Sequence, residues 1–130
     1  MRAREGHEET LAAVRRALTL LEGRGSHVEN IEAIGGGWVG EEALAIALYC
    51  CLASAGDLPR ALLLAVNHSG DSDSTGAIAG NILGAFLGRE ALPREWLGRL
   101  ELAREIGEVA ADLLVGWRRD EAWWRKYPGS

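Results

Sequence analysis

Between Glu41 and Ala55 the sequence has no polar face. Ala43, Leu44, Ile46, Leu48 and Leu52 point to every side of a helical wheel, and a helix of that kind is central and buried. Glu41 and Glu42 stand in its first turn, where the helix dipole favours negative charge, and Gly56 stops it.

The segments on either side read as further helices. Leu11, Val14, Leu18 and Leu21 recur at spacings of three and four, describing an amphipathic helix that ends near Gly23 and Gly25. Ser26 with Glu29 predicts a capping box, followed by Val28, Ile31 and Ile34 on one face. Asp57 predicts a cap with Pro59 in the first turn of a helix that carries Leu62, Leu63, Leu64 and Val66. Gly76, Gly80, Gly84 and Gly88 then recur every four residues. Each interior glycine costs about 0.5–1 kcal/mol relative to alanine, so the stripe predicts close approach of a neighbouring backbone. After Pro93 the pattern predicts one long helix from Arg94 to Val115, with Ile106, Val109 and Leu113 as its stripe. No strand-like alternation extends beyond a few residues. The expected class is all-α, a compact orthogonal bundle of about six helices in one domain spanning 1–130. The tail, with Trp117, Trp123 and Trp124 among charges, is expected to dock on the bundle; the other reading is an exposed aromatic surface for a partner.

Charge and composition exclude several functions. At 130 residues and a net charge of −5, with arginine supplying all but one of the basic residues, the chain has no clustered basic patch for nucleic acid or a membrane surface. No window of 18 apolar residues could cross a bilayer. Met1 to Thr10 is charged and lacks the apolar core of a signal peptide. Cys50 and Cys51 are neighbours with no third cysteine to pair with, so they read as buried, reduced thiols and the expected compartment is the cytoplasm.

Two segments carry chemistry. His68-Ser69-Gly70-Asp71-Ser72-Asp73-Ser74-Thr75-Gly76 sets two carboxylates and several hydroxyls in a glycine-flanked loop. An all-oxygen cluster suits a hard cation such as Mg²⁺ or Mn²⁺. The same residues also read as N-caps for the helix that follows. Carboxylates held this close repel unless a positive charge sits between them. A lone His68 reads as a satisfied structural residue; the other reading is a base or a residue that orients a ligand. The second segment, Gly35-Gly36-Gly37-Trp38, reads either as a turn with a packed tryptophan or as a bare backbone that approaches a ligand while Trp38 stacks on a flat ring.

At these two segments the chain resembles the ADP-ribosylglycohydrolase family. The residues that carry the resemblance are Gly35-Gly36-Gly37-Trp38-Val39-Gly40-Glu41-Glu42-Ala43-Leu44 and the run from Ala65 through Asn67-His68-Ser69-Gly70-Asp71-Ser72-Asp73-Ser74-Thr75 to Gly80, with Leu92-Pro93-Arg94-Glu95-Trp96-Leu97 beyond them. The resemblance spans Val28 to Leu114. It implies an all-helical fold with a pair of Mg²⁺ or Mn²⁺ ions. Asp71, Asp73 and Ser74 would be ligands, with Asp73 touching both metals. Gly36, Gly37 and Trp38 would form part of an ADP-ribose cleft. The loop is most similar to the branch that acts on ADP-ribosylated arginine.

The same resemblance exposes a departure. The family's other ligand cluster, a hydroxyl residue followed by two aspartates, occurs nowhere in this sequence, so the chain resembles the C-terminal half alone. The expected partners are ADP-ribose or an ADP-ribosylated protein, and a complementing chain or a second copy. The expected activity is metal-assisted glycosidic hydrolysis, weak or absent without the complementing half, and no catalytic residue is identified. The alternative is a non-catalytic module that binds ADP-ribose or a partner, or a truncated remnant.

Overall fold

The structure, a computed structural model, describes residues 6–116 and 118–129; Trp117 lies outside them. The described residues form eight α-helices and no strand. The chain divides into two compact units, Met1–Pro93 and Arg94–Ser130.

In the first unit, α1 (Glu8–Glu22) ends at Gly23, and α2 (His27–Ile34) begins at Ser26 with the full capping box to Glu29. The apolar rod is α3 (Gly40–Ala53), and α1, α2, α4 and α5 all pack on it. Its Ala45, Ile46, Ala47, Tyr49 and Cys50 are at most 1% exposed. Burying Ile46 alone contributes about 1.5–3 kcal/mol. The Tyr49 hydroxyl is inside too, accepting from Asn30 Nδ2 at 2.9 Å and lying 2.9 Å from His27 Nδ1. Burial of both thiols raises their pKa values, Cys50 to about 12.

Helix α4 (Leu58–Val66) starts at the Asp57 cap, and α5 (Ser72–Leu87) starts at Asp71. The glycine stripe of α5 does less than its spacing predicts. A Cβ on Gly76 would lie 2.7 Å from Val66 Cγ1, and one on Gly80 3.6 Å from Leu62 Cδ2, whereas Gly84 faces open space. The approach is to side chains of α4, not to its backbone. Gly88 is the C-cap, and a single 3₁₀ turn (Arg89–Ala91) follows.

In the second unit the predicted long helix is two. α6 (Arg94–Arg99) stops, and α7 (Ala103–Val115) restarts after Leu102, which sits in the left-handed region at φ 56. A left-handed residue other than glycine costs about 1–2 kcal/mol, and nothing local in the sequence announces it. The tail forms a short α8 (Glu121–Lys126) capped by Asp120. It docks on α7: Tyr127 donates its hydroxyl to Asp112 Oδ2 at 2.7 Å, and Lys126 Nζ lies 2.6 Å from the same oxygen. Trp123 packs against Tyr127, and Trp124 is about half exposed. Among the described residues no helix is long and apolar enough to cross a membrane.

Candidate functional site

The glycine loop before α3 and the acidic loop before α5 meet side by side. The Asp71 N–H donates to the Gly36 carbonyl at 2.8 Å. The approach is so close that a Cβ on Gly70 would stand 1.8 Å from that carbonyl oxygen. Only glycine fits at 70. The two sequence segments singled out 30 residues apart are thus one structural unit.

On the glycine side, Gly37 is buried with φ +75, and the Trp38 indole lies over Gly36. The indole is 73% exposed. A flat aromatic face open to solvent beside bare backbone is a platform on which a planar ring can stack. Glu42 holds this loop from behind, its Oε2 accepting from Gly36 N–H at 3.1 Å and Gly37 N–H at 3.0 Å.

On the acidic side, Asp71 is the N-cap of α5 and accepts from the Ser74 N–H at 3.5 Å. The capping reading and the ligand reading therefore fall on the same carboxylate. The Ser74 side chain, then the neighbouring Asp73 carboxyl, hold the Asp71 carboxyl below its usual value of 3.8, with smaller help from the Ser74 N–H. Asp73 stands exposed in the first turn. Asp71, Asp73 and Ser74, predicted as ligands, are brought together.

His68 is structural. Gly70 N–H donates to its Nδ1 at 3.1 Å, and a backbone N–H can only donate. Nε2 therefore carries the hydrogen and directs it to Thr75 Oγ1 at 2.9 Å. Thr75, fully buried, donates in turn to Ala65 O at 2.6 Å. Glu32 completes the frame from α2, accepting from Ser69 N–H at 3.2 Å and Ser69 Oγ at 2.9 Å. These Ser69 bonds lower the Glu32 pKa below 4.5, the side-chain bond more than the backbone one.

The loop-holding roles of Glu32 and Glu42 escaped the sequence reading. Glu42 had a signal, since it lies three residues after the N-cap Val39, where an acidic side chain reaches back to amides before the helix. Glu32 had none, because its partner lies 37 residues away.

The donor chemistry fits a hard divalent cation in part. Two adjoining carboxylates and a hydroxyl offer only oxygen. Among the described residues no group of three or more His, Cys, Asp or Glu side chains could hold a metal ion. The three side chains are a share of a coordination shell, not the whole of it.

An all-helical fold is what the family resemblance implies, and in it the glycine-tryptophan loop adjoins the Gly-Asp-Ser-Asp-Ser loop. The ADP-ribosylglycohydrolase family model matches residues 1–122. The chain belongs to that family. It is 29% identical over 98 residues to the ADP-ribosylhydrolase ARH3 of Mus musculus, covering 68% of this chain and 26% of that protein. It is 43% identical over 56 residues to the ADP-ribosyl-[dinitrogen reductase] glycohydrolase of Rhodospirillum rubrum, covering 42% of this chain and 19% of that protein. The ADP-ribosylarginine hydrolase Tri1 of Pseudomonas putida is 38% identical over 53 residues, covering 41% of this chain and 14% of that protein. The chain thus spans about a quarter, or less, of the length of these relatives. No solved structure matches the chain.

Proposed function

We propose that this chain supplies part of the metal and ADP-ribose site of an ADP-ribosylglycohydrolase that cleaves the glycosidic bond between ADP-ribose and an acceptor such as arginine. The observation that carries the reading is the Asp71–Gly36 bond, which sets the oxygen cluster against the loop bearing Trp38. Asp71, Asp73 and Ser74 would hold Mg²⁺ or Mn²⁺, as one ion or a share of two. When bound, such ions orient ribose hydroxyls and stabilise the charge that develops as the bond to the anomeric carbon breaks.

The residues of the chain do the rest. Trp38 offers an indole face for a flat ring, and the Gly36–Gly37 backbone carries that indole. Glu32, Thr75 and His68 hold the acidic loop to α2 and α4. Asp71 anchors α5 while keeping its charge. A Mg²⁺ ion prefers about six oxygens, so further ligands come from water, another segment of polypeptide or a second chain. With three protein ligands the ion is held loosely and the substrate imprecisely, so the expected turnover by these 130 residues is weak or absent. The exposed Trp38 supports a second reading, in which the chain binds ADP-ribose or an ADP-ribosylated partner without cleaving it. Buried, reduced Cys50 and Cys51 suit the cytoplasm.

The test is hydrolysis of ADP-ribosyl-arginine by the purified chain in Mg²⁺ and then in EDTA, with Mn²⁺ and ADP-ribose binding followed by calorimetry. Binding of both, lost in Asp73→Ala, supports the reading whether or not turnover is seen. A chain that binds neither ligand sinks it. Metal-dependent turnover abolished by Asp73→Ala would instead make these residues an autonomous enzyme.

A further inference from the structure

Glu42 grips the peptide that joins the Trp38 loop to the acidic loop. Its Oε2 is the shared acceptor for Gly36 N–H and Gly37 N–H, at 3.1 and 3.0 Å. Successive backbone amides turned toward one point make a concavity for an anion, and here the anion is the chain's own carboxylate. The space is shaped for it: a Cβ on Gly35 would lie 2.4 Å from Glu42 Cδ. The peptide held in this way has two other duties. Gly36 gives its carbonyl to Asp71 N–H, and the indole of Trp38 lies over its Cα.

From this geometry we infer that Glu42 is a positioning residue for the ligand site. It fixes the Gly36–Gly37 backbone so that Trp38 stays presented and the Asp71 loop stays anchored. The inference rests on the ADP-ribose reading above and adds a residue which that reading does not use. An acidic side chain near a cation site has a rival role as metal ligand or proton carrier, and that role needs its charge. Positioning needs only an oxygen at the right reach. Both hydrogens go to one oxygen, so a glutamine can offer its single carbonyl oxygen in the same place. An aspartate is one methylene too short.

The experiment measures amide exchange at Gly36 and Gly37 by NMR in the full chain. It also titrates ADP-ribose in Mg²⁺ against the indole N–H resonance of Trp38, identified with Trp38→Phe. Wild type is compared with Glu42→Gln, Glu42→Ala and Glu42→Asp. The expected result is slow exchange of both amides in wild type and Glu42→Gln, and fast exchange in the other two. ADP-ribose affinity should be kept in Glu42→Gln and fall at least about tenfold in Glu42→Ala and Glu42→Asp. Should Glu42→Ala fail to fold, the contrast between the Asp and Gln variants decides. Glu42→Gln behaving like Glu42→Ala would show that the charge matters and overturn the inference. So would amides that exchange equally fast in wild type and Glu42→Ala. Slow exchange with glutamine rescue, but no indole response to ADP-ribose in wild type, would overturn the ADP-ribose reading and leave the clamp established.

Discussion

Thr75 Oγ1 stands between His68 Nε2, at 2.9 Å, and Ala65 O, at 2.6 Å. That one hydroxyl ties the end of α4, the acidic loop and the first turn of α5 together. It is fully buried, so removing it leaves an imidazole N–H and a carbonyl without their partner. Thr75→Val, equal in shape, should cost about 1–3 kcal/mol in urea denaturation. Thr75→Ser keeps the hydroxyl and should cost less. Equal losses in the two variants would mean that packing of the methyl, not the hydrogen-bond relay, matters at this position.

Gly70→Ala should be more damaging than any change to an exposed glycine. Its Cβ would stand 1.8 Å from the Gly36 carbonyl oxygen, and neither backbone can retreat without breaking the Asp71–Gly36 bond. The expected loss is at least about 2 kcal/mol, with ADP-ribose binding lost as the loops separate. Gly84→Ala is the comparison, since a Cβ there meets open space. It should stabilise α5 by up to about 1 kcal/mol. Thermal unfolding of the two variants side by side checks both signs.

Asp71 serves at once as helix cap and as candidate cation ligand, and these roles separate in one pair of variants. Asparagine caps a helix as well as aspartate does but carries no charge. Asp71→Asn should therefore unfold close to wild type while losing Mn²⁺ binding. Asp71→Ala should lose both. Calorimetric titration with Mn²⁺ alongside thermal unfolding gives the two readouts, and full Mn²⁺ affinity in Asp71→Asn would remove Asp71 from the ligand set.

Most of the helix boundaries were legible because the signals that set them are local. Ser26 with Glu29, Asp57 before Pro59 and the stop at Gly23 each act within a turn of their own position. The lack of a polar face on α3 likewise announced its burial. The long helix expected from Arg94 to Val115 was not legible as two, because Leu102 adopts a left-handed conformation that its side chain disfavours. The acidic loop was visible as chemistry, but its supports were not. Glu32 reaches Ser69 across 37 residues, and a bond between elements leaves no periodicity in sequence. The stripe on α5 shows the converse: regular spacing promised four close approaches, and only Gly76 is tightly packed.

The docking of α8 should depend on pH at both ends. Lys126, then Tyr127, hold the Asp112 carboxyl below its usual 3.8. A depressed acid stabilises the folded form above its unfolded value, and that contribution is lost as pH falls through the lower folded value. Asp112 in turn raises Lys126 above 10.5 and Tyr127 above 10.0. Raised groups contribute fully below their unfolded values and lose that contribution as pH rises through the folded ones. α8 should therefore be most firmly held between about pH 4 and pH 10, with amide exchange across Glu121–Lys126 quickening beyond either limit. Asp112→Asn removes the charge that Lys126 faces and should flatten both arms, while α3 keeps its protection throughout. Exchange in α8 that tracks α3 at every pH would mean that global unfolding, and not the Asp112 cluster, sets the response.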